Sequence, residues 1–151
     1  CRRAVGVAAE AGQVDLERDV SRRTGRDLQR RTCGGSLHKT REAAEALAQE
    51  GINAEVIGMR SLRPLDAETM LTSVRKTRRA VMVDEGWKTG SLAAEIGMIL
   101  AEEAFWDLDA PLARVCSAEV PIPYAAHLEQ AAIPQVAEIV VTARRVMGEA
   151  P

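Results

Sequence analysis

The run "AVMVDEGWKTGS", residues 80–91, sets four apolar residues side by side, Ala80 to Val83, with no polar alternation. A strand solvated on one face alternates. A strand buried on both faces does not, and it belongs to a parallel sheet covered by helices on either side. Gly86 and Gly90 bound the loop that follows, and Ser91 is placed to cap a helix with Leu92, Ile96, Ile99 and Leu100 on its inner face.

The same alternation continues outward in both directions. Upstream, Leu37, Ala43, Ala44, Leu47 and Ala48 mark a helical face that ends at Glu50, with Ser36 as N-cap and Gly51 as the stop. "AEVIGM", residues 54–59, reads as a short strand, and Leu62 to Leu65 as a turn. Asp66 caps a helix with Met70, Leu71 and Val74 inward. Downstream, Leu112 to Cys116 is a strand, and Pro134 opens a last helix striped by Val136, Ile139, Val140, Ala143 and Met147. Strands alternating with helices predict an α/β fold with a mainly parallel sheet covered by helices on both sides.

Residues 1–32 differ from the rest. They hold eight arginines and five acids, whereas the remainder carries twelve basic and seventeen acidic residues. With few large apolar residues and no sustained period, this opening reads as a disordered or misread segment, with 33–151 as the folded domain. The residues before "GGSLHK" are "LQRRTC", and Arg30 and Arg31 do not suit a buried strand, so the sheet is expected to lack its first strand.

A chain of 151 residues with net charge −2 supports one domain and gives no argument for nucleic acid or an anionic membrane. Cys1, Cys33 and Cys116 form no metal-ligand spacing, and a reducing, cytoplasmic setting is the simplest expectation. A first residue of Cys in place of Met points to a fragment of something longer.

Chemistry is thin along this chain. Asp84 and Glu85 follow the buried strand where α/β sheets place their sites, but no nucleophile or metal ligand accompanies them, and loop and cap roles are favoured. In "GWKTGS" Lys88 precedes Gly90, the reverse of a phosphate loop, so a tight strand–helix turn is favoured. His38 and His127 stand outside any recognisable motif. Trp87 and Trp106 lie beside loops or helix ends, as interface anchors or as lids on the core. In "CSAEVPIPYAAHLEQAAIPQV", residues 116–136, Pro121 and Pro123 force an extended path that lays down Val120, Ile122 and Tyr124 as alternating contacts. A long segment without regular structure points to subunit packing more than to chemistry.

"EVIGMRSLRPLD", "VDEGW", "LDAP" and "VPIPY…IPQ" occur in this order between Gly34 and Met147. They closely resemble the C-terminal domain of the beta subunit of the thiamine-diphosphate-dependent decarboxylase of 2-oxoacid dehydrogenase complexes, of pyruvate or acetoin type. The resemblance implies a transketolase C-terminal-like fold, a doubly wound, mostly parallel sheet of about five strands with helices on both faces, and an oxidoreductase whose thiamine diphosphate and Mg lie between the alpha subunit and the beta subunit's N-terminal domain. This chain alone is then expected to be inactive and to bind neither, with no catalytic, cofactor-binding or metal residue of its own. The implied role is assembly: packing with the alpha subunit and a second beta subunit, and docking of the acyltransferase's subunit-binding domain. Asp109, Trp106 and Tyr124 are the candidate interface residues, and no membrane or nucleic-acid partner is expected. Where the family has a strand of the type "DVTIVTYGG" this chain has "DLQRRTCGG", which a shift of reading frame upstream of Cys33 would explain. A transketolase-like fragment and a free-standing protein- or nucleic-acid-binding module are the alternatives.

Overall fold

The computed structural model describes residues 4–9, 35–59 and 61–148. The order of elements is β1 (Ala4–Ala9), α1 (Gly35–Gln49), β2 (Asn53–Gly58), α2 (Ala67–Thr77), β3 (Ala80–Trp87), α3 (Leu92–Ala104), a 3-10 turn (Phe105–Asp107), β4 (Ala113–Ser117), α4 (Ala126–Ala132) and α5 (Val136–Val146). Among the described residues four strands form one sheet in the order β2-β1-β3-β4, and all its pairings are parallel.

β3 is the hinge between two cores. Val81 and Val83 point to one face, where they pack with Leu37, Ala43 and Leu47 of α1 and with Ile139, Val140 and Ala143 of α5. Ala80 and Met82 point to the other, into Met70 and Val74 of α2 and Ile96 and Leu100 of α3. The unbroken apolar run is therefore the period-two alternation of a strand whose two faces are both covered.

The termini of the helices follow local chemistry. Asp66 accepts from the backbone N–H of Thr69 at 3.1 Å, and Ser91 from that of Ala94 at 3.3 Å, satisfying donors that the first turn leaves over. Gly51 ends the α1 region at φ 81°, where a side chain would be strained. Ser36 is no cap, because α1 already includes Gly35; Ser36 instead offers its carbonyl to the Thr40 hydroxyl at 2.7 Å.

Two expectations need correction. The first-strand position is not empty: Ala4–Ala9 fills it, pairing Val7 with Val56 on one side and with Val81 on the other. A strand so far upstream of α1 is hidden from a reading that looks for it immediately before the helix. The rest of the 1–32 segment lies outside the described residues. The proline-rich stretch is also not extended throughout, since Ala126–Ala132 forms α4 once Pro121 and Pro123 are passed. The composition "AHLEQAA" favours a helix when no proline interrupts it.

Asp84, the last buried residue of β3, is 1% exposed. One carboxylate oxygen accepts from Gly86 N–H at 2.7 Å and the other from Ala93 N–H at 2.9 Å, so strand, turn and the start of α3 are fastened by one side chain. A Cβ at Gly86 would lie 3.0 Å from that carboxylate, which is why glycine follows two residues later. Asp84→Ala should cost roughly 2–4 kcal/mol in urea unfolding, the scale of stranding buried backbone donors. Gly86→Ala should also destabilise, and the double variant should cost less than the two single losses added, because both act on the same contact.

Candidate interface site

The parallel topology sorts the candidate residues by edge. β3 and β4 both end at the carboxyl edge of the sheet, and the connection from α3 to β4 lies at the amino edge. Trp106 and Asp109 belong to that connection. Tyr124 lies beyond the end of β4, on the opposite edge. The three residues therefore make two surfaces and not one.

At the amino edge, the C-terminal turn of α2 holds the connection in place. Arg78 Nε donates to Asp109 Oδ1 at 2.9 Å, and the Asp109 N–H donates to the Arg78 carbonyl at 2.8 Å. Arg78 itself adopts a left-handed conformation, φ 61°, as the C-cap of α2. Arg79 approaches the other Asp109 oxygen at 3.9 Å, and Arg75 pairs with Asp107 at 3.4 Å. These pairs are exposed or, at Arg79, partly buried; the exposed ones are each worth a kcal/mol or less, but together the pairs orient one short loop. On that loop Phe105 and Trp106 meet edge to face, ring centroids 5.0 Å apart, and Trp106 is 90% exposed. Met98 is exposed on α3, the helix that leads into this turn. Sequence reading singled out Trp106 and Asp109 but missed Phe105 and the three arginines. The adjacent "FW" after a helix was a usable signal; the arginine partners sit some thirty residues away and gave none.

At the carboxyl edge, residues 118–125 form a strap anchored to the turn after β3. Gly86 permits a bulge there: the register of β3 against β4 shifts between Asp84 and Trp87. The Ser117 hydroxyl donates to the Glu85 carbonyl at 2.7 Å, and Arg114 donates to the Lys88 carbonyl at 2.9 Å. Glu119 Oε1 accepts from both the N–H and the hydroxyl of Thr89, at 3.0 and 2.7 Å. Trp87 Nε1 donates to the Val120 carbonyl at 3.2 Å. Past these ties, Val120, Ile122, Tyr124 and Leu128 are exposed, Tyr124 completely, and Trp87 is about half exposed at 48%. Both tryptophans are thus surface features and not lids on the core. Four large apolar side chains thus face solvent along the strap and the start of α4.

The remaining sequence candidates fall outside these surfaces. Asp84 is committed to backbone groups, Glu85 is exposed, and His38 and His127 are exposed on α1 and α4. Burial pushes the Cys116 thiol up, helped by the negative charge of nearby Asp84, which makes it a poor nucleophile. Among the described residues no group of three His, Cys, Asp or Glu side chains could hold a metal ion, and no helix is long and apolar enough to cross a membrane.

Three carboxyls sit below their usual values: Glu119, through the Thr89 hydroxyl and N–H; Asp66, through the Thr69 hydroxyl and N–H; and Glu50, through its hydrogen bond with Arg144. A carboxyl depressed on folding stabilises the fold above its unfolded value and loses that contribution as pH falls through the folded one. The urea midpoint of the wild-type chain should therefore exceed that of the Glu50→Gln/Asp66→Asn/Glu119→Gln variant by a constant amount above the ordinary values of 4.5 and 3.8, and the gap should close on further acidification. A gap that widened in acid would contradict these assignments.

The family model described as "Transketolase, C-terminal domain" matches residues 17–139. The pyruvate dehydrogenase E1 component subunit beta of Dictyostelium discoideum, a mitochondrial protein, is 53% identical over 105 residues, 70% of this chain and 30% of that protein. The acetoin:2,6-dichlorophenolindophenol oxidoreductase subunit beta of Cupriavidus necator is 39% identical over 136 residues, 90% of this chain and 39% of that protein. This chain thus spans only about a third of the length of these relatives. A solved structure titled "Split gene transketolase, inactive beta4 tetramer" superposes with a TM-score of 0.69 at 23% identity, covering 97% of this chain and 39% of that one, and shares the fold. The cytoplasmic setting expected from the cysteines is overturned, because the Dictyostelium protein and other relatives are mitochondrial. Cysteine spacing alone does not separate one reducing compartment from another.

Proposed function

This chain belongs to the transketolase C-terminal domain family, and from that premise we propose that it is the C-terminal assembly domain of a 2-oxoacid dehydrogenase beta subunit of pyruvate or acetoin type. The observation that carries this reading is the pair of solvent-facing aromatic surfaces, Trp106 with Phe105 at one edge and Tyr124 with the strap at the other. Both stand on backbone fastened by hydrogen bonds, and exposed aromatics on rigid backbone bind without a large ordering cost. In the intact enzyme the domain packs against the alpha subunit and a second beta subunit. The enzyme decarboxylates a 2-oxo acid and passes the acyl group to a lipoyl carrier. Thiamine diphosphate and its Mg ion belong to the rest of that assembly in this reading. The described residues provide no carboxylate cluster to fit the metal, and no chemical step is assigned to them.

The amino-edge surface is the docking place for the acyltransferase's subunit-binding domain in this proposal. Glu102, Glu103, Asp107 and Asp109 flank the Phe105–Trp106 pair along the chain, which suits a basic partner with an apolar centre, although Asp107 is already paired with Arg75. Asp109 is partly occupied by Arg78 and Arg79, so Asp109→Lys would gather three cations and disturb the loop as well as the contact. Asp109→Asn is the cleaner variant.

The test uses the intact beta subunit containing this domain, together with its alpha subunit. Tyr124→Ser should weaken assembly at least ten-fold in sedimentation, the effect of truncating an aromatic anchor, with the unfolding midpoint little changed. Asp109→Asn should weaken binding of the subunit-binding domain, more at low salt than at high salt. Unaltered assembly in Tyr124→Ser would refute the interface reading. Calorimetry of this chain alone should show no stoichiometric thiamine diphosphate binding in the presence of Mg, and a stoichiometric isotherm would refute the assignment of the cofactor to the rest of the assembly.

A further inference from the structure

The strap carries two prolines just after its ties to the turn that follows β3. Proline fixes its own φ and restricts the residue before it, so "VPIPY" is a stiff lever. The direction in which Ile122 and Tyr124 point is then set where the lever is held, at Glu119 and Val120. Two side chains hold it there. Glu119 takes both donors of Thr89 on one oxygen, at 3.0 and 2.7 Å, and Trp87 holds the Val120 carbonyl at 3.2 Å. Behind them, Ala118 N–H donates to the Ala132 carbonyl at 2.8 Å, which fastens the root of the strap to the end of α4. The root is held by this backbone bond and by the Ser117 hydroxyl, and Val120 N–H is tied back to the Ala118 carbonyl at 2.8 Å; Glu119 and Trp87 add the side-chain ties that fix the strap against the end of β3.

We propose that Glu119 is a positioning residue: its grip on Thr89 closes a clasp that aims the Val120–Tyr124 row for subunit assembly. This deepens the interface reading above and rests on it. Glu119 touches no partner in this role; it acts by removing the alternative orientations of the strap before a partner arrives, so that association does not bear their entropy. The clasp is exposed, hence screened, and its removal opens the strap without unfolding the domain. The charged group acting on it is Lys88, beside Thr89; the Lys88 carbonyl is held by Arg114.

Trp87 reports on the clasp directly. In a Trp106→Phe background it is the sole tryptophan, and acrylamide quenching measures its exposure. Glu119→Ala should raise the open-to-closed ratio about five-fold, the loss expected of a partly screened hydrogen-bond pair, and increase quenching accordingly. Glu119→Gln keeps an acceptor oxygen but not the charge and should lie closer to the parent than Glu119→Ala does. Thr89→Val loses the hydroxyl but keeps the N–H and should fall between. Equal quenching in Glu119→Ala and the parent would overturn the proposal. In the intact beta subunit, with Trp106 restored, Glu119→Ala should also slow assembly with the alpha subunit, and Glu119→Gln should rescue it. Raised quenching with unchanged assembly of Glu119→Ala would overturn the proposal too. Unchanged assembly of Tyr124→Ser would instead strike the interface reading beneath it.

Discussion

Strand β3 feeds side chains into two separate cores and ends in a buried carboxylate, and most of the architecture hangs on that arrangement. Val81 and Val83 hold α1 and α5 on one face; Ala80 and Met82 hold α2 and α3 on the other. Burial of this kind leaves no solvated face, so the strand must sit inside the sheet with parallel neighbours. Asp84 then converts the end of the strand into a fixed turn by giving both oxygens to backbone N–H groups. The bulge at Gly86, the position of Trp87 and the start of α3 all follow from that contact.

The two exposed surfaces are consequences of the same turn and of its counterpart at the other end of the sheet. At the carboxyl edge, the bulged end of β3 offers Glu85, Trp87, Lys88 and Thr89 as anchors for the chain leaving β4. At the amino edge, the left-handed Arg78 closes α2 and meets Asp109 across the α3–β4 connection. In both places ionic and hydrogen-bonding groups hold the backbone, while large apolar side chains face outward. The exposed polar ties are individually weak, and it is their number at each edge that holds the backbone.

The lost-strand expectation shows how a local rule misleads. Two arginines in "LQRRTC" do not suit a buried strand without partners, and the residues just before α1 offer no other candidate. The replacement, Ala4–Ala9, is short, rich in alanine and far away in sequence. Neither periodicity nor distance marks it as the strand that pairs with both β2 and β3; only the two sets of backbone partners do.

Local signals in the residues were sufficient for the caps at Asp66 and Ser91, the stop at Gly51, the helical stripes and the two-sided burial of residues 80–83. Each of these rests on a few neighbouring side chains and one repeating geometry. The motif order from "EVIGMRSLRPLD" to "VPIPY" likewise carried the family. Tertiary structure alone decided that Trp106 and Tyr124 lie at opposite edges, that Asp109 is shared with Arg78, and that Glu119 grips Thr89. Those contacts join residues about thirty positions apart, and their existence depends on how parallel strands return the chain to the same edge. A sequence lists both partners of such a contact but not the crossover that brings them together.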